Sequence, residues 1–485
     1  MQAPTLYRQL AEHYLSAIRH GTLATGDRMP SVRKLMQLHE VSLSTALQMC
    51  RYLEAEGWLE ARPRSGYFVR QPRRIRLAPA LEPKPATVID PAQFVGIHER
   101  VSSIIAQGQR PVKINLARAT GAPDLYPHKQ LRQLASSLLR QYPLLLTKAI
   151  SPGGNRDLKS ALAKRALDVG ISTSADEVIV TNGCIEALNL ALRAVAHAGD
   201  VIAVESPTFY GLLQVLESLG MKALEIPTSP STGISLEALE LAMQTYDNIK
   251  AVVVVPHLQN PLGSIMPDAH KQRLVTLCEA KNIPLIEDDS YSALANGDKI
   301  PTAAKHWDQT GNVIYCASLH KILAPGLRLG WMLGGRWQAR ISMFKYAQTR
   351  YNEELSQLIA ATFLQSSSYD RHLRKLRTTL TQQREKMAEG IATYFPEGTR
   401  LTMPDGGVSV WVEMPPQVSS RAVFDAALRQ DILVSPGLLY SNSNRFDHFL
   451  RLNCGTHYSH ELEGALRTLG QIAHDLARTK KVAVV

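Results

Sequence analysis

The chain has 485 residues, of which 45% are hydrophobic and 20% charged, and its formal net charge at pH 7 is +11. This length is sufficient for two or three cored domains, and the composition excludes an intrinsically disordered chain. Five cysteines lie far apart without a CxxC pair, so they indicate neither a disulfide framework nor a metal site, and a reducing, cytoplasmic compartment is expected. No membrane partner is expected, because no run of about 20 apolar residues occurs.

The positive charge is concentrated at the N-terminal end of the chain. Residues 1–76 contain twelve Lys or Arg residues against six Asp or Glu residues. Such a segment is typical of proteins that bind a polyanion, although a solvated basic face has the same composition.

Three short helices and a hairpin are predicted over residues 1–71. Apolar side chains recur at helical spacing over residues 6–18, and Ser31 and Ser42 stand where two further helices begin. Ser42 is the expected N-cap of the third helix, whose predicted inward residues are Ala46, Leu47, Cys50 and Leu53. The runs WLEA and YFV flank a turn around RPRSG. Two helices joined by a tight turn and followed by a hairpin predict a winged helix-turn-helix.

The runs PSVRKL, VSLST and LEAEGWLEARPRSGYFV resemble the winged helix-turn-helix of the GntR family of bacterial repressors. The resemblance implies that double-stranded DNA is a partner and that the third helix enters the major groove. Leu43 stands where the family often has an arginine. Each residue taken alone is also compatible with a solvated helix face. The DNA-binding residues implied by the resemblance are Arg33, Ser42, Ser44, Thr45, Gln48, Arg64, Ser65 and Gly66.

Residues 72–109 are predicted to be a linker. Prolines at positions 72, 79, 83, 85 and 91 accompany a basic start, and no helical period is present. These features are typical of a stiff, extended segment.

Residues 110–485 show the pattern of an α/β domain. β-branched runs at 176–181, 200–205, 249–256, 283–289 and 312–318 alternate with helical segments. This alternation predicts a mostly parallel sheet flanked by helices, with a large part over about residues 145–345 and a smaller C-terminal α+β part over 346–485.

The side chains that could take part in catalysis or ligand binding follow the predicted strands. Lys321 lies among small and apolar residues, where lost solvation would lower its pKa and make its amine nucleophilic, although a helix cap or a surface loop would also explain it. Asp288 and Arg328 also follow strands, and ligands of such sheets collect at the strand carboxyl ends. An aldehyde cofactor with a pyridine ring and a phosphate needs an amine, a carboxylate and a cation, which these three residues provide.

The motifs TNGCIEAL, ESPTFYG, QNPLG, EDDSY, SLHKILAPGLRLGW and LRLNCG resemble those of the fold-type I aminotransferases that use pyridoxal 5'-phosphate, over roughly residues 110–475. The resemblance implies that Lys321 forms the internal aldimine and that Asp288 pairs with the pyridinium nitrogen. Arg451 would bind the substrate α-carboxylate. His320 replaces a serine that is common before the lysine, and Cys184 occupies a position in the phosphate loop. The cofactor-binding residues implied are Gly183, Cys184, Phe209, Asn260, Asp288, Tyr291, Ser318, Lys321 and Arg328, with Lys321, Asp288 and Tyr291 as the catalytic group.

A GntR-like DNA-binding domain joined to an aminotransferase-like domain resembles the MocR-type bacterial transcription regulators. This resemblance implies a homodimeric, DNA-binding regulator whose aminotransferase-like domain senses pyridoxal phosphate, or an amino compound, through aldimine chemistry at Lys321. The alternative is a working aminotransferase that acts on an amino acid. A third reading, a cofactor store, leaves the basic N-terminal segment unexplained.

Overall fold

The computed structural model describes residues 5–19, 22–24, 26–62, 65–70, 77–83, 90–108, 111–148, 153–297, 299–443 and 445–482. The chain divides into two compact units, Met1–Arg76 and Leu77–Val485. Among the helices of the described ranges, none combines the length and apolar content that crossing a membrane requires.

The N-terminal unit is a three-helix domain with a two-stranded wing. Its elements are α1 (Leu6–Arg19), α2 (Val32–His39), α3 (Leu43–Ala55), β1 (Leu59–Arg62) and β2 (Gly66–Val69). The wing strands are antiparallel, with Leu59 opposite Val69. The oxygen of Ser42 accepts a hydrogen bond from the Thr45 amide at 3.2 Å, which confirms the predicted N-cap. The winged helix-turn-helix prediction is therefore confirmed.

The core of this unit lies between its helices. Ala46, Cys50 and Leu53 are buried as predicted, whereas Leu47 is only half-buried and Met49 takes the inward position. The difference follows from helical geometry, since residues three and four apart share a face and Met49 lies three residues after Ala46.

The C-terminal unit begins with a mixed sheet covered by helices. Its strands lie in the order β3-β7-β6-β9-β10-β11-β12-β5, and β8 pairs with β7. The strands of this sheet, together with β4, which lies outside it, are β3 (Gln93–Phe94), β4 (Ile114–Asn115), β5 (Val178–Thr181), β6 (Val201–Ser206), β7 (Lys222–Ser229), β8 (Gly233–Ile234), β9 (Ile249–Val254), β10 (Leu285–Asp289), β11 (Val313–Ser318) and β12 (Gly330–Leu333). The helices are α4 (His98–Gln107), α5 (His128–Gln141), α6 (Arg156–Ala166), α7 (Cys184–Val195), α8 (Tyr210–Ser218), α9 (Leu236–Thr245), α10 (Asp268–Ala280), α11 (Gln338–Gln348), α12 (Glu354–Leu364) and α13 (Ser367–Tyr394).

The middle of this sheet is parallel, from β7 through β6, β9 and β10 to β11. The strand β12 then runs antiparallel to both β11 and β5. The predicted α/β architecture is confirmed. Strands β7 and β12 were not among the predicted runs, because proline or glycine interrupts their apolar pattern.

A smaller sheet forms the C-terminal part in the order β13-β14-β17-β16, with antiparallel pairs throughout. A further strand, β15, pairs in parallel with β4. The elements are β13 (Arg400–Thr402), β14 (Ser409–Glu413), α14 (Ser420–Arg429), β15 (Ile432–Leu433), β16 (Ser435–Pro436), β17 (Phe449–Asn453) and α15 (His460–Val482).

The segment expected to be a linker contains ordered structure in its second half. Helix α4 and strand β3 lie within residues 72–109, and the backbone amides of Ile97 and His98 donate to Glu217 at 2.8 and 2.7 Å. Val101 and Ile104 are buried. Apolar residues three apart on one helix face explain this docking, a signal that the preceding proline-rich run obscured.

We expect Gly330→Ala to destabilise the C-terminal unit. A methyl group at Gly330 would lie 2.6 and 2.7 Å from the backbone carbonyl carbon and Cα of Gly183, which cannot move without displacing the start of α7. The expected loss in the free energy of unfolding is about 2 kcal/mol or more. Chemical denaturation measures it, and Gly326→Ala is the matched control because no atom lies within 4 Å of its added methyl group. Equal stability of the two variants would contradict the expectation.

Candidate cofactor and ligand site

The start of α7, the end of β11 and the start of β12 meet at the carboxyl edge of the sheet. Gly183 has φ 78° and precedes the first turn of α7, whose free backbone amides suit a phosphate group. Ser318 pairs with Gly330, which packs directly on Gly183. The Arg328 guanidinium lies over the same loop, with its Nη2 atom 3.5 Å from the Asn182 carbonyl oxygen. Gly183, Ser318 and Arg328 are thus brought together, as their predicted shared role requires.

Asp288 is the penultimate residue of the buried strand β10, and hydrogen bonds fix one of its carboxylate oxygens. Its Oδ1 atom accepts from the Ser290 amide at 3.0 Å, from the Ser290 hydroxyl at 2.6 Å and from the Cys184 thiol at 3.2 Å. Burial raises the pKa of Asp288 above its ordinary value, while the bonds from Ser290 and Cys184 oppose the increase. One anchored oxygen fixes the carboxylate plane, which suits a group that pairs with a ring nitrogen.

The side chain of Cys184 therefore contacts Asp288 directly. Its backbone amide remains at the start of α7 for the predicted phosphate role. Burial raises the pKa of the thiol well above its ordinary value, so the thiol stays protonated and donates to the carboxylate.

Lys321 is a poorly solvated amine in this pocket. Burial, with further repulsion from Arg451, lowers the pKa of Lys321 to about 7, although the nearby Asp288 carboxylate opposes the decrease. Its Nζ atom donates to the Ala119 carbonyl at 2.7 Å and lies 5.7 Å from the centre of the Tyr291 ring. A neutral amine near pH 7 is the nucleophilic form.

Arg451 lies on β17 and is 1% exposed. Its guanidinium donates to Asn260 at 3.2 Å and also to the Ala117 carbonyl, while its Nε atom is buried without a partner. No acidic residue in the described part of the chain forms an ion pair with it. A buried guanidinium held only by neutral groups favours an anionic ligand, because an unpaired buried charge is costly.

Aromatic side chains line the region around these groups. Phe209 precedes α8, and its ring centre lies 5.0 Å from that of Tyr210, which in turn contacts Tyr440. Burial raises the pKa of Tyr291 well above its ordinary value, so its hydroxyl is available as a hydrogen-bond donor.

His320 is neutral beside the two cations. Burial and the charges of Lys321 and Arg328 lower its pKa to about 4, and its Nδ1 atom lies 3.2 Å from Arg328. The imidazole can thus accept a hydrogen bond from the guanidinium, in place of the serine that is common at this position.

The structure adds residues that sequence reasoning missed. Ser290 supplies two of the bonds to Asp288, and the segment after β4 supplies the carbonyls of Ala117 and Ala119 to Arg451 and Lys321. Ser290 lies in the quoted EDDSY run and could have been found from its spacing to Asp288. The two carbonyls give no signal in the sequence, because any residue type provides one.

The residues predicted to contact DNA lie at the start of α3, on α2 and at the wing. Ser42 forms hydrogen bonds with Ser44 at 2.8 Å and with Thr45 at 2.9 Å. Arg64 lies outside the described residues. Thr45 is half-buried, and the exposed members of the predicted set are Arg33, Ser42, Ser44, Gln48, Ser65 and Gly66.

Comparison with known proteins agrees with both units. Residues 6–69 match the model of the gntR family of bacterial regulatory proteins, and residues 129–469 match that of class I and II aminotransferases. The kynurenine aminotransferase of Pyrococcus horikoshii, solved in complex with PMP, superposes with a TM-score of 0.71 at 24% identity over 78% of this chain and 94% of its own. The two units thus define a DNA-binding domain fused to a fold-type I aminotransferase domain.

Two relatives share this whole architecture. The HTH-type transcriptional regulator YjiR of Escherichia coli is 36% identical over 97% of this chain and 99% of its own length. The regulator YdcR of the same organism is 34% identical over 97% and 99%. The chain belongs to this family of HTH-type transcriptional regulators, the MocR-type subfamily of GntR regulators.

We expect the reaction of Lys321 with pyridoxal phosphate to depend on pH in a specific way. Because the pKa of this amine is lowered to about 7, its neutral fraction rises through pH 7 and is nearly complete above it. The rate at which the visible absorbance appears in cofactor-free protein should therefore rise from pH 5.5 and level off above about pH 8.

The control is Lys321→Ala, in which no such absorbance should appear. A rate that keeps rising tenfold per pH unit up to pH 10 would contradict the lowered pKa, and an unchanged spectrum in the variant would contradict the assignment of Lys321.

Proposed function

We propose that this transcriptional regulator holds pyridoxal 5'-phosphate in its C-terminal unit and that an amino compound with a carboxylate, bound there, changes its affinity for DNA. When bound, pyridoxal phosphate supplies an aldehyde that reacts with amines and a ring that withdraws electrons. The buried Arg451 guanidinium, which lacks an acidic partner in the described part of the chain, is the observation that carries the proposal.

Different residues of the chain would bind different parts of the cofactor and of the ligand. Gly183, Cys184, Ser318 and Arg328 would hold the phosphate, and Asp288 would keep the ring nitrogen protonated through its free oxygen. Asn260 and Tyr291 would donate to the ring hydroxyl oxygen, and Phe209 would stack on the ring.

Lys321, displaced by the amine of the ligand, would hold or move a proton at the ligand's α-carbon. Arg451 would bind the ligand carboxylate with a bidentate geometry.

The N-terminal unit would read the operator through the exposed start of α3. Hydroxyl and amide groups at Ser42, Ser44 and Gln48 suit phosphate oxygens and base edges. Leu43 is 54% exposed on the same turn, where it suits contact with a thymine methyl group. The proposed compartment is the cytoplasm, where bacterial DNA lies.

Exposed apolar side chains support a homodimer. Leu144 and Leu146 follow α5, and Met343 and Tyr346 lie on α11, all of them more than half exposed. Two copies of the chain would present two DNA-binding domains to a twofold symmetric operator. Light scattering should give a mass of twice 53.6 kDa, and a mass of 53.6 kDa at micromolar concentration would contradict the proposal.

A working aminotransferase is the alternative function. The full-length relatives are described as transcriptional regulators, which supports regulation over this alternative. A mobility-shift titration on the DNA upstream of the gene, with and without pyridoxal phosphate, tests the regulatory proposal. Binding that is weak, independent of sequence and unaffected by the cofactor would oppose it for that promoter, whereas turnover of an amino acid with a keto acid would favour the alternative.

We expect Arg451→Met to remove the preference for ligands with a carboxylate. The variant loses a charge-assisted contact, so the affinity for an α-amino acid that perturbs the cofactor absorbance should fall about tenfold or more. The amine that lacks the carboxylate is the matched control, because its affinity should be the same for both proteins. A parallel loss for both ligands would show that Arg451 acts through structure alone.

We expect Arg33→Ala to weaken DNA binding and to lower the slope of log K against log salt by about one unit, since one phosphate contact is lost. Arg33 is exposed on α2. Arg51→Ala is the control, because Arg51 is also an exposed arginine and lies in the C-terminal half of α3, away from the start of that helix. Identical slopes for wild type and Arg33→Ala would contradict the proposed contact.

A further inference from the structure

A second cavity lies in the C-terminal unit, apart from the pocket that contains Lys321. Its volume is about 730 Å³, which falls in the range of small-molecule sites. The walls come from α6, α13 and the segments that follow β10 and β11. The described residues of its lining include none of Lys321, Asp288, Asn260, Arg328 and Arg451.

One part of the inner wall of this cavity is apolar. It is formed by Leu162 on α6, Trp331 on β12, Leu364 at the end of α12 and Leu373 on α13, all of which are buried core residues. These side chains offer dispersion contacts and an environment that removes an apolar ligand body from water.

Among the described lining residues, four cations, Arg165, Lys299, Arg374 and Arg377, stand against three acidic residues, Asp168, Asp289 and Asp370. Arg165 is paired with Asp168 at 3.3 Å and with Asp370 at 2.8 Å, so its charge is compensated. Lys299 and Arg374 also line the cavity and are exposed. Neither of these two cationic side chains forms a hydrogen bond or an ion pair with another residue in the part of the chain that the structure describes. An anion with an apolar body would place its charge beside Lys299 and Arg374 and its body against the apolar part of the wall.

The cavity also shares a wall with the cofactor pocket. Ser290 and Ser318 line it, and the Ser290 hydroxyl is the group that donates to Asp288 at 2.6 Å. A ligand in the cavity would lie against a residue that fixes the Asp288 carboxylate.

We propose that this cavity is an effector site for a small amphipathic anion, a carboxylate or phosphate on an aromatic or aliphatic body, distinct from the pocket of Lys321 and Arg451. Its charge selects the anion and its inner wall selects the apolar body. The bound anion acts on the cofactor pocket through Ser290. The binding itself requires neither DNA nor the reaction of Lys321.

The probe for the test is 2-naphthoate, titrated calorimetrically into the full-length protein saturated with pyridoxal phosphate. Arg451→Met serves as the background, so that the arginine of the cofactor pocket does not bind the probe. In this background, Arg374→Glu should weaken binding about tenfold, as expected for the loss of a charge-assisted contact. Lys299→Glu should have a similar effect.

The matched control is Lys375→Glu, which makes the same change of charge on the adjacent exposed residue of α13 without altering the cavity lining. Its affinity for the probe should equal that of the background protein. The proposed site would be contradicted if Arg374→Glu and Lys375→Glu bound 2-naphthoate with equal affinity, or if the background protein did not bind it. A visible cofactor band that stays fixed while the probe saturates the site would overturn its coupling to the cofactor. Because the calorimetric signal reports the probe alone, failure of ligand sensing at Lys321 would leave this binding result unchanged.

Discussion

Two cations, Lys321 and Arg451, repel each other in a pocket from which most water is removed. Burying charge is costly, and the Asp288 carboxylate offsets only part of that cost. An arginine cannot lose its proton in a protein, whereas a lysine can. Burial, together with this repulsion, therefore lowers the pKa of the lysine to about 7. The chemistry proposed for the pocket depends on this unequal response to one shared environment.

The sheet is what makes this costly arrangement possible. Strands β10 and β11 are parallel neighbours, so Asp288 and Ser318 emerge at the same edge. The antiparallel strand β12 then carries Gly330 against Gly183 and fixes the phosphate loop beside them. Strand β17 of the smaller sheet supplies Arg451 from a different layer. Because each of these side chains is attached to a buried strand or its end, packing elsewhere in the core stabilises a site that is itself unfavourable.

Much of this site could be predicted from the sequence, because its side chains carry chemistry and follow apolar runs that are easily recognised. The predicted strands end where Asp288, Ser318 and the loop before α7 require them to end. The contacts from Ala117 and Ala119 could not be predicted, since they come from backbone carbonyls brought there by long-range packing. The docking of α4 was missed for a related reason: its buried face has only a few apolar residues, and the glutamate that receives its first amides lies more than one hundred positions later.

The 28-residue helix α13 is continuous from Ser367 to Tyr394. Its first half contributes Tyr369, Leu373 and Leu376 to the core of the large part, while Gly390 near its other end packs against the Leu466 side chain of α15. A straight helix of this length spans about 42 Å, so a tilt of roughly 5° at one end displaces the other by about 4 Å. The helix therefore connects the core of the large part with α15, and Arg374 of the second cavity lies on its first half. A tilt of α13 set by its contact with α15 would move Arg374 relative to the rest of the cavity lining.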